Sequence, residues 1–476
     1  MSASPARARA RSSTSRAPRP EVNATAGQLA LDLPLESPAI GIAPEWKAQQ
    51  RLWGHSFHPM CSYLASFPAA LTHSFIARYS RPGDVVLDPF SGRGTTPLQA
   101  CAEGRIGVGN DLNPFAHLLT AAKVEPATRA AAATRSTQLR LAWGADAGRW
   151  LALADAVVAA PERVSIPAAG GAVDGPETTV PLEVVVAFHP YTLAQLLFMR
   201  TTLRLDDRTD RFLAAAISGI LHGKSASYLS ALMPNTFSMA PRYVRDFAAR
   251  TAFTSPKRDV FDGLDAKLDR LFRQPPPRVE GVALLGDARD VAPRARAALR
   301  ERGRPDRARL VITSPPYLRV VKYGYYNWLR TWFLGFDAHE IDATLDDAHH
   351  REPYLVFLRD VLAGLRPVLA DDAVVVLVIG DVETDRGRRI RGGVGLAERT
   401  FQQAAEPEGY RLAGVALDDV AAVRKMTKLW GDEAGRATKT DRILVLGATE
   451  AGRRRALAGA SVDVDWTWPP KALRAI

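Results

Sequence analysis

The stretch DVVLDPFSGRGTTPLQACAEGRIGVGNDL, residues 84–112, decides the fold. In it a short apolar run ends at Asp88, a turn with two glycines opens a helical segment, and a second apolar run ends at Asp111. Strand, glycine turn, helix and strand in this order begin an open α/β sheet. This stretch therefore predicts a sheet whose first two strands end in acidic residues.

Further apolar runs continue the sheet only after a long interruption. The strand pattern resumes at Val282. Later strands are predicted over residues 309–313, 374–379, 414–415 and 443–446. Residues 125–280 are alanine-rich in part, contain a Gly/Pro linker and read as mostly helical. We predict one Rossmann-like α/β sheet interrupted by a mostly helical insert, not three consecutive domains.

The predicted domain boundaries follow these changes in composition. The first 20 residues hold five Arg, no acid and many Ser, Ala and Pro, a composition that cannot bury a core. The predicted units are a disordered basic arm (1–45), the first part of the core (46–124), the helical insert (125–280), the second part of the core (281–450) and a C-terminal tail (451–476).

Composition excludes several classes of protein. The chain has 476 residues, 47% of them hydrophobic and 24% charged, which rules out wholesale disorder. Two cysteines exclude a disulfide scaffold and a four-cysteine zinc module. No apolar run reaches the roughly 18 residues of a membrane span. The formal net charge of +11 favours an anionic partner.

The glycine turn has the features of an adenosine-binding loop. Gly92 and Gly94 let the backbone bend and approach a ligand closely. Asp111 lies 19 residues beyond Gly92, at the strand end where nucleotide-binding sheets place the acid that grips ribose hydroxyls. Pro97 stands where a dinucleotide site usually has Gly or Ala. We therefore expect a ligand without a pyrophosphate, such as S-adenosylmethionine. Its ammonium group would be bound by Asp88 and the carbonyls of the loop.

A second motif, VITSPPY at residues 311–317, follows directly after a predicted strand. Two consecutive prolines remove two backbone N–H donors and fix a rigid turn. The remaining acceptors, the Ser314 hydroxyl and the Ser314 and Pro315 carbonyls, suit an exocyclic amino group. Tyr317 offers a face on which a base can stack, a contact worth about 1–3 kcal/mol. An ordinary β-turn after an edge strand is the alternative.

Together, Asp-Pro-Phe-x-Gly-x-Gly-Thr-Thr and Thr-Ser-Pro-Pro-Tyr resemble the motifs of DNA amino-methyltransferases, the N4-cytosine and N6-adenine enzymes. The Ser-Pro-Pro-Tyr form is typical of the N4-cytosine enzymes. The lead-in from His58 to Asp84 is also similar to theirs. The resemblance implies a class I methyltransferase sheet of seven strands, the last one antiparallel, with S-adenosylmethionine as cofactor.

The resemblance also implies roles for individual residues. It implies cofactor binding by Asp88, Phe90, Gly92, Gly94, Thr95, Asp111 and Asp287. It implies catalytic roles for Ser314, Pro315, Pro316 and Tyr317. No protein nucleophile is expected, and the sequence lacks the Pro-Cys dipeptide that chemistry at carbon-5 of cytosine would need. No metal site is expected, because the histidine pairs lack ligand partners at suitable spacing.

The sequence departs from the family in two respects. Many N4-cytosine enzymes carry the proline turn before the glycine loop, and here the order is reversed. The insert matches no family that we can name, so a target-recognition role rests on its position alone. Residues 200–258 contain ten Lys or Arg against four Asp, which suits phosphate contact. The favoured nucleic-acid contacts are Lys224, Tyr228, Asn235, Arg242 and Arg245.

Three functions are compatible with these observations. The first is methylation of cytosine N4 in double-stranded DNA, with a restriction endonuclease or defence proteins as partners. The second is methylation of adenine N6 in DNA or of guanine N2 in RNA. The third is a cofactor-binding DNA-recognition protein without turnover. For the enzymes we expect a bacterial cytoplasm, because nothing directs export.

Overall fold

A computed structural model describes most of the chain between residues 42 and 469. The described residues are 42, 44–50, 52–63, 66–171, 177–223, 227–230, 241–250, 254–316, 322–345, 351–380, 384–385, 388–389, 395–419 and 440–469. No helix within these ranges is both long and apolar enough to cross a membrane.

One mixed sheet of seven strands forms the centre of the protein. Its strands are β1 (Val85–Asp88), β2 (Ile106–Asp111), β3 (Val282–Leu285), β4 (Ala308–Thr313), β5 (Leu369–Gly380), β6 (Arg411–Asp419) and β7 (Thr440–Gly447). They lie in the order β6-β7-β5-β4-β1-β2-β3. Two two-stranded ribbons, 165–166 with 178–179 and 384–385 with 388–389, lie outside this sheet. The predicted Rossmann-like sheet, with its last strand antiparallel, is confirmed, because β7 alone runs against both of its neighbours.

The strand order creates a cleft at the carboxyl ends of β1 and β4. The chain adds β2 and then β3 on one side of β1, and returns to place β4 on the other side. The connections after β1 and β4 therefore diverge to opposite sides, and ligands of open α/β sheets bind at such a point. Both sequence motifs begin at this edge of the sheet.

Sixteen α-helices are present in the described residues. They are α1 (Ala69–Tyr79), α2 (Thr95–Ala102), α3 (Pro114–Val124), α4 (Arg129–Ala159), α5 (Leu182–Ala187), α6 (Pro190–Thr202), α7 (Arg208–Ser218), α8 (Pro241–Arg250), α9 (Val260–Leu271), α10 (Val291–Glu301), α11 (Tyr323–Tyr326), α12 (Trp328–Leu334), α13 (Ala338–Thr344), α14 (Arg351–Leu365), α15 (Leu396–Thr400) and α16 (Glu450–Ala460). Most of them cover the two faces of the sheet or form the insert.

Helices on both faces bury alternate side chains of the strands. Val85 and Leu87 of β1 belong to an apolar cluster with α10 and α14, whereas Val86 belongs to a second cluster with α1 and α16. Alternation along a strand sends successive side chains to opposite faces. All of β1 is buried, which explains why its sequence is a continuous apolar run.

The helical insert packs against the core through the lead-in. A third apolar cluster is continuous from Phe57 through α4 to α9 and on to α12. At Gly219, after α7, a Cβ atom would stand only 1.8 Å from the Met60 carbonyl oxygen. The insert and the lead-in are therefore in direct backbone contact.

Two segments differ from the expectation. Strand β5 begins at Leu369, earlier than the predicted 374, because Asp371 and Asp372 interrupt the apolar pattern although they lie on the strand. Residues 451–476, expected to be a tail, include most of α16, in which Gly459 packs against the Tyr79 ring. The expected basic arm lies outside the described residues except near its end, where Ile42 is buried.

Candidate active site

The glycine loop joins β1 to α2 and needs both of its glycines. Gly92 and Gly94 have φ angles of 51° and 75°, a left-handed region that favours glycine. A Cβ atom at Gly94 would lie 2.9 Å from the Thr120 hydroxyl and 3.0 Å from the Thr120 Cα. The loop is therefore pressed against α3. Thr95 begins α2 and is buried, with its hydroxyl accepting a hydrogen bond from the Arg93 side chain at 3.3 Å.

Asp88 ends β1 inside the protein, and its carboxylate has no ion pair with any described side chain. Its Oδ1 accepts hydrogen bonds from the Thr313 hydroxyl at 2.6 Å and from the Phe90 N–H at 3.1 Å. Burial raises the pKa of Asp88 to about 7, although the hydrogen bonds from Thr313 and Phe90 favour the charged form.

Asp111, at the end of β2, holds the glycine loop by its carboxylate. The Gly92 N–H donates to Oδ2 at 2.8 Å, and the Asn113 N–H donates to Oδ1 at 3.0 Å. Burial raises the pKa of Asp111 to about 6. The buried Asp88 and the half-buried Asp111, neither of which has an ion pair with a described side chain, therefore end neighbouring strands.

The serine–proline turn leaves β4 beside the glycine loop. The Ser314 hydroxyl donates to the Val378 carbonyl of β5 at 3.1 Å, Pro315 is buried and Pro316 is half-buried. The Thr96 hydroxyl of α2 donates to the Ile312 carbonyl at 3.2 Å, a second link between the two motifs. Ser314 directly follows Thr313, whose hydroxyl contacts Asp88. Tyr317 lies outside the described residues.

Asp287 and Phe90 lie further along the same edge. The Gly286 N–H donates to the Asp111 carbonyl at 3.0 Å, which places Asp287 beside the end of β2. The Asp287 carboxylate forms an ion pair with Arg289 at 2.5 Å, and this hydrogen-bonded partner lowers its pKa. Phe90 is half-buried, with its ring centroid 5.8 Å from that of Phe357.

Most of the favoured nucleic-acid contacts are not described by the structure. Lys224 and Asn235 lie outside the described residues, and Arg242 belongs to α8 with a side chain that is not described. The Tyr228 ring packs against the backbone of Gly223. Arg245 forms an ion pair with the buried Glu183 at 2.9 Å, so part of its charge is neutralised within the insert.

Two tyrosines that lie outside both motifs form a wall of the site. Tyr63, in the lead-in, stacks on Tyr323 with ring centroids 5.9 Å apart and an interplanar angle of 19°. The Tyr63 ring lies 3.5 Å from the position of a Cβ atom at Gly92, and the Asn113 amide donates to its hydroxyl at 3.2 Å. Burial raises the pKa of both phenols. Tyr323 begins the aromatic run YGYYNW at residues 323–328, which is a signal in the sequence, whereas Tyr63 stands out by no pattern.

The residues at this edge fit S-adenosylmethionine. The buried Asp88 and the half-buried Asp111, whose pKa values are raised and which have no described cation paired to them, are suited to a ligand that brings positive charge. The glycine loop leaves room for close approach of its backbone, and Asp111 lies at the end of β2, where a ribose would be held. Within the described residues, no group of three His, Cys, Asp or Glu side chains could hold a metal ion.

Comparisons with known proteins match the first part of the core. A family model for N6/N4 methyltransferases, described as DNA methylase, matches residues 42–122. The chain is 35% identical over 71 residues to the type II methyltransferase M.MjaII of Methanocaldococcus jannaschii, covering 15% of this chain and 13% of that protein. It is 36% identical over 70 residues to the type II methyltransferase M.Cfr9I of Citrobacter freundii, covering 14% of this chain and 23% of that protein.

The chain therefore spans less than a quarter of the length of these curated relatives. Among solved structures, TrmN from Thermus thermophilus aligns with a TM-score of 0.29 at 11% identity, over 82% of this chain and 52% of that chain. The rRNA methyltransferase AviRa from Streptomyces viridochromogenes aligns with a TM-score of 0.30 at 12% identity, over 87% of this chain and 96% of that chain. The resemblance to DNA amino-methyltransferases is confirmed over residues 42–122.

Proposed function

We propose that this chain, whose residues 42–122 match the N6/N4 DNA methylase family, transfers a methyl group to the exocyclic N4 of cytosine in double-stranded DNA. One observation carries the proposal: Thr313, immediately before Ser314, donates its hydroxyl to Asp88 at 2.6 Å. This contact supports the proposal, because it joins the strand end before the serine–proline turn to the strand end before the glycine loop.

The cofactor is S-adenosylmethionine, which supplies an activated methyl group on a sulfonium when bound. Gly92 and Gly94 admit the ligand close to the backbone, and Asp111 is placed to accept hydrogen bonds from the ribose hydroxyls. Asp88 contributes negative charge at the end of β1. The remaining residues of the proposed cofactor-binding site are Phe90, Thr95 and Asp287.

Ser314 and Pro315 orient the amino group of the target base. Because the Ser314 hydroxyl proton is directed to the Val378 carbonyl, its remaining lone pairs can only accept. The two prolines add no N–H donor, so the turn favours a group that donates. Hydrogen bonds from the amino group to Ser314 and the Pro315 carbonyl hold its nitrogen lone pair toward the methyl donor. Positioning of this kind supplies most of the rate when the donor is already activated.

The base must leave the helical stack to reach this turn. Extrusion costs a few kcal/mol, and a stacking partner in the pocket offsets part of the cost. We assign that role to Tyr317. The form of the motif, with Ser before the prolines, favours cytosine N4 over adenine N6.

A direct test is to express the chain in a host that lacks DNA methylation and to analyse its hydrolysed DNA by nucleoside mass spectrometry. We expect N4-methylcytosine in the digest and much less of it in the digest from a Ser314→Ala control. N6-methyladenine would reassign the target base. DNA without either product, together with methylguanosine in RNA, would reject the proposal.

A further inference from the structure

A buried arginine joins three segments of the chain beside the site. Arg330, on α12, is buried, and its Nε donates to the Ser218 carbonyl at the end of α7, in the insert, at 3.3 Å. Its two terminal nitrogens donate to the side-chain oxygen of Asn327 at 2.9 Å and to the Ser62 hydroxyl of the lead-in at 2.8 Å. One side chain thus contacts the insert, the lead-in and the start of α12, and the proposed transfer gives it no role.

The three acceptors that the Arg330 side chain contacts are all uncharged. Burying a guanidinium group away from a carboxylate is costly, and a well-packed apolar side chain of similar volume is often at least as stable. An arginine adds geometry instead, because its planar group holds several acceptors in fixed directions at once. The arrangement therefore favours a role in joining segments over a role in stability alone.

Through Asn327 this contact reaches the residues that follow the serine–proline turn. Asn327 is buried, and its side-chain amide donates to the Tyr323 carbonyl at 2.9 Å. Tyr323 stacks on Tyr63, the neighbour of Ser62 in the lead-in. The contacts therefore close a ring, whose members are Arg330, Asn327, Tyr323, Tyr63 and Ser62.

The helices on either side of Arg330 are fixed to each other. The Asp342 carboxylate of α13 accepts hydrogen bonds from the Gly324 N–H at 2.7 Å and from the Tyr325 N–H at 2.9 Å. A Cβ atom at Gly324 would stand only 2.0 Å from the Ala338 carbonyl oxygen. Helices α11 and α13 are therefore in direct backbone contact, and Arg330 ties this pair of helices to the insert and the lead-in.

We propose that Arg330 is a positioning residue for the target base. The serine–proline turn is held at its start by β4, and Tyr317, the proposed stacking partner of the base, lies in the sequence between Pro316 and Tyr323. By fixing Tyr323, Arg330 sets the far end of the stretch that carries Tyr317. This inference rests on the proposed function, and it gives the insert a contact that leads to the base-binding residues.

The test measures transfer and cofactor binding separately in Arg330→Met. Single-turnover methylation of genomic DNA from a host without DNA methylation, at saturating DNA, gives the transfer rate. We expect this rate to fall about 10–100-fold, because a displacement of roughly 1 Å at the reacting groups has effects of this size. Calorimetric titration should give an affinity for S-adenosylhomocysteine within about threefold of the wild type, as expected when only a later step is impaired.

Arg200 provides a matched control. It is also a buried arginine with uncharged acceptors, and it donates to the Trp332 carbonyl of α12 at 3.0 Å and to the Pro167 carbonyl at 2.9 Å. These bonds join α12 to the insert, away from the lead-in and Tyr323. Arg200→Met should lower the melting temperature as much as Arg330→Met but leave the transfer rate within about threefold of the wild type. Equal slowing in both variants would reject the positioning role.

Hydrogen exchange gives a readout that needs no activity. The Tyr326 and Asn327 N–H groups donate to the Lys322 and Gly324 carbonyls at 3.1 and 3.0 Å. In Arg330→Met these amides should exchange about tenfold faster or more, whereas in Arg200→Met they should exchange as in the wild type. Unchanged exchange in Arg330→Met would overturn the inference. A wild-type chain that transfers nothing to DNA would reject the proposed function, and the exchange rates would still decide whether Arg330 fixes this segment.

A second variant serves if Arg330→Met does not fold. Asn327→Asp keeps an acceptor for Arg330 but removes the donor to the Tyr323 carbonyl. It should therefore retain the fold and slow transfer about tenfold, the effect of losing one hydrogen bond that positions a reacting group. A transfer rate equal to that of the wild type would show that the position of Tyr323 does not matter for the reaction.

Discussion

Thr313 donates its hydroxyl to Asp88 at 2.6 Å, although the two residues are 225 positions apart in the chain. Thr313 ends β4 and Asp88 ends β1, and these strands are neighbours in the sheet. The hydrogen bond therefore joins the two motifs at the strand ends from which they start. It also places the residue before Ser314 against the acid that begins the glycine loop.

Thr313→Val should weaken the cofactor site without disturbing the fold. Valine keeps the volume of the side chain but removes the donor, so the charged form of Asp88 loses a hydrogen bond and its pKa rises further. We expect cofactor affinity near neutral pH to fall about tenfold, as for other bonds to charged groups. Titration calorimetry measures this loss, and an unchanged affinity would show that the bond serves packing alone.

Ser314→Ala should separate transfer from cofactor binding. The change removes an acceptor for the base and leaves Asp88, Asp111 and the glycine loop in place. We expect kcat to fall by roughly 100-fold, a usual effect of losing one positioned polar group, with cofactor affinity near that of the wild type. Single-turnover kinetics and a binding titration measure the two quantities. A collapse of cofactor affinity here, with none in Asp88→Asn, would reverse the two roles.

Asp88→Asn should stabilise the ligand-free protein while it weakens binding. The folded pKa of about 7 exceeds the ordinary value of 3.8, so the folded chain holds a proton that the unfolded chain has released. The contribution of Asp88 to the free energy of unfolding of the ligand-free protein therefore falls as pH rises from about 4 to about 7. At pH 8 the asparagine variant should melt roughly 1–3 °C higher than the wild type. A lower Tm would mean that the carboxylate is a net stabilising group.

Cofactor affinity should rise with pH between about 5 and 7.5. Asp88 and Asp111 have pKa values raised to about 7 and about 6, and a positively charged ligand binds best when both are ionised. In Asp88→Asn the remaining rise should move toward pH 6, because Asp111 alone still titrates in this range. Titrations at several pH values measure the shift, and a flat profile in the wild type would contradict it.

Gly94→Ala should disable the glycine loop by collision with α3. The new Cβ atom would stand 2.9 Å from the Thr120 hydroxyl and 3.0 Å from the Thr120 Cα at a φ of 75°. Gly83 is a matched control, with a φ of 86° and no atom within 4 Å of the new Cβ. Both changes carry backbone strain of about 1–2 kcal/mol. Only Gly94→Ala should abolish cofactor binding in a titration, and equal effects would point to strain alone.

The sheet and the closeness of the two motifs could be predicted because both depend on local sequence patterns. Both motifs follow buried apolar strands, so their positions at the carboxyl edge followed from strand direction. The contacts of Lys123 with the Arg93 carbonyl and of Tyr63 with the Tyr323 ring depend on packing between distant segments. A lysine near the end of a helix and a tyrosine in an irregular lead-in carry no periodic signal of such contacts. The start of β5 was predicted too late, because Asp371 and Asp372 interrupt the apolar pattern of the strand.

The contact of the insert with the lead-in has a consequence for protein engineering. Lys267 anchors the Pro59 carbonyl, and Arg330 of α12 donates to the Ser62 hydroxyl at 2.8 Å and to the Ser218 carbonyl at 3.3 Å. Residues 125–280 therefore cannot be grafted as an independent module. A chimera that takes this region from a relative must also take residues 55–63 and 322–334, or the wall that faces Gly92 will lose its support.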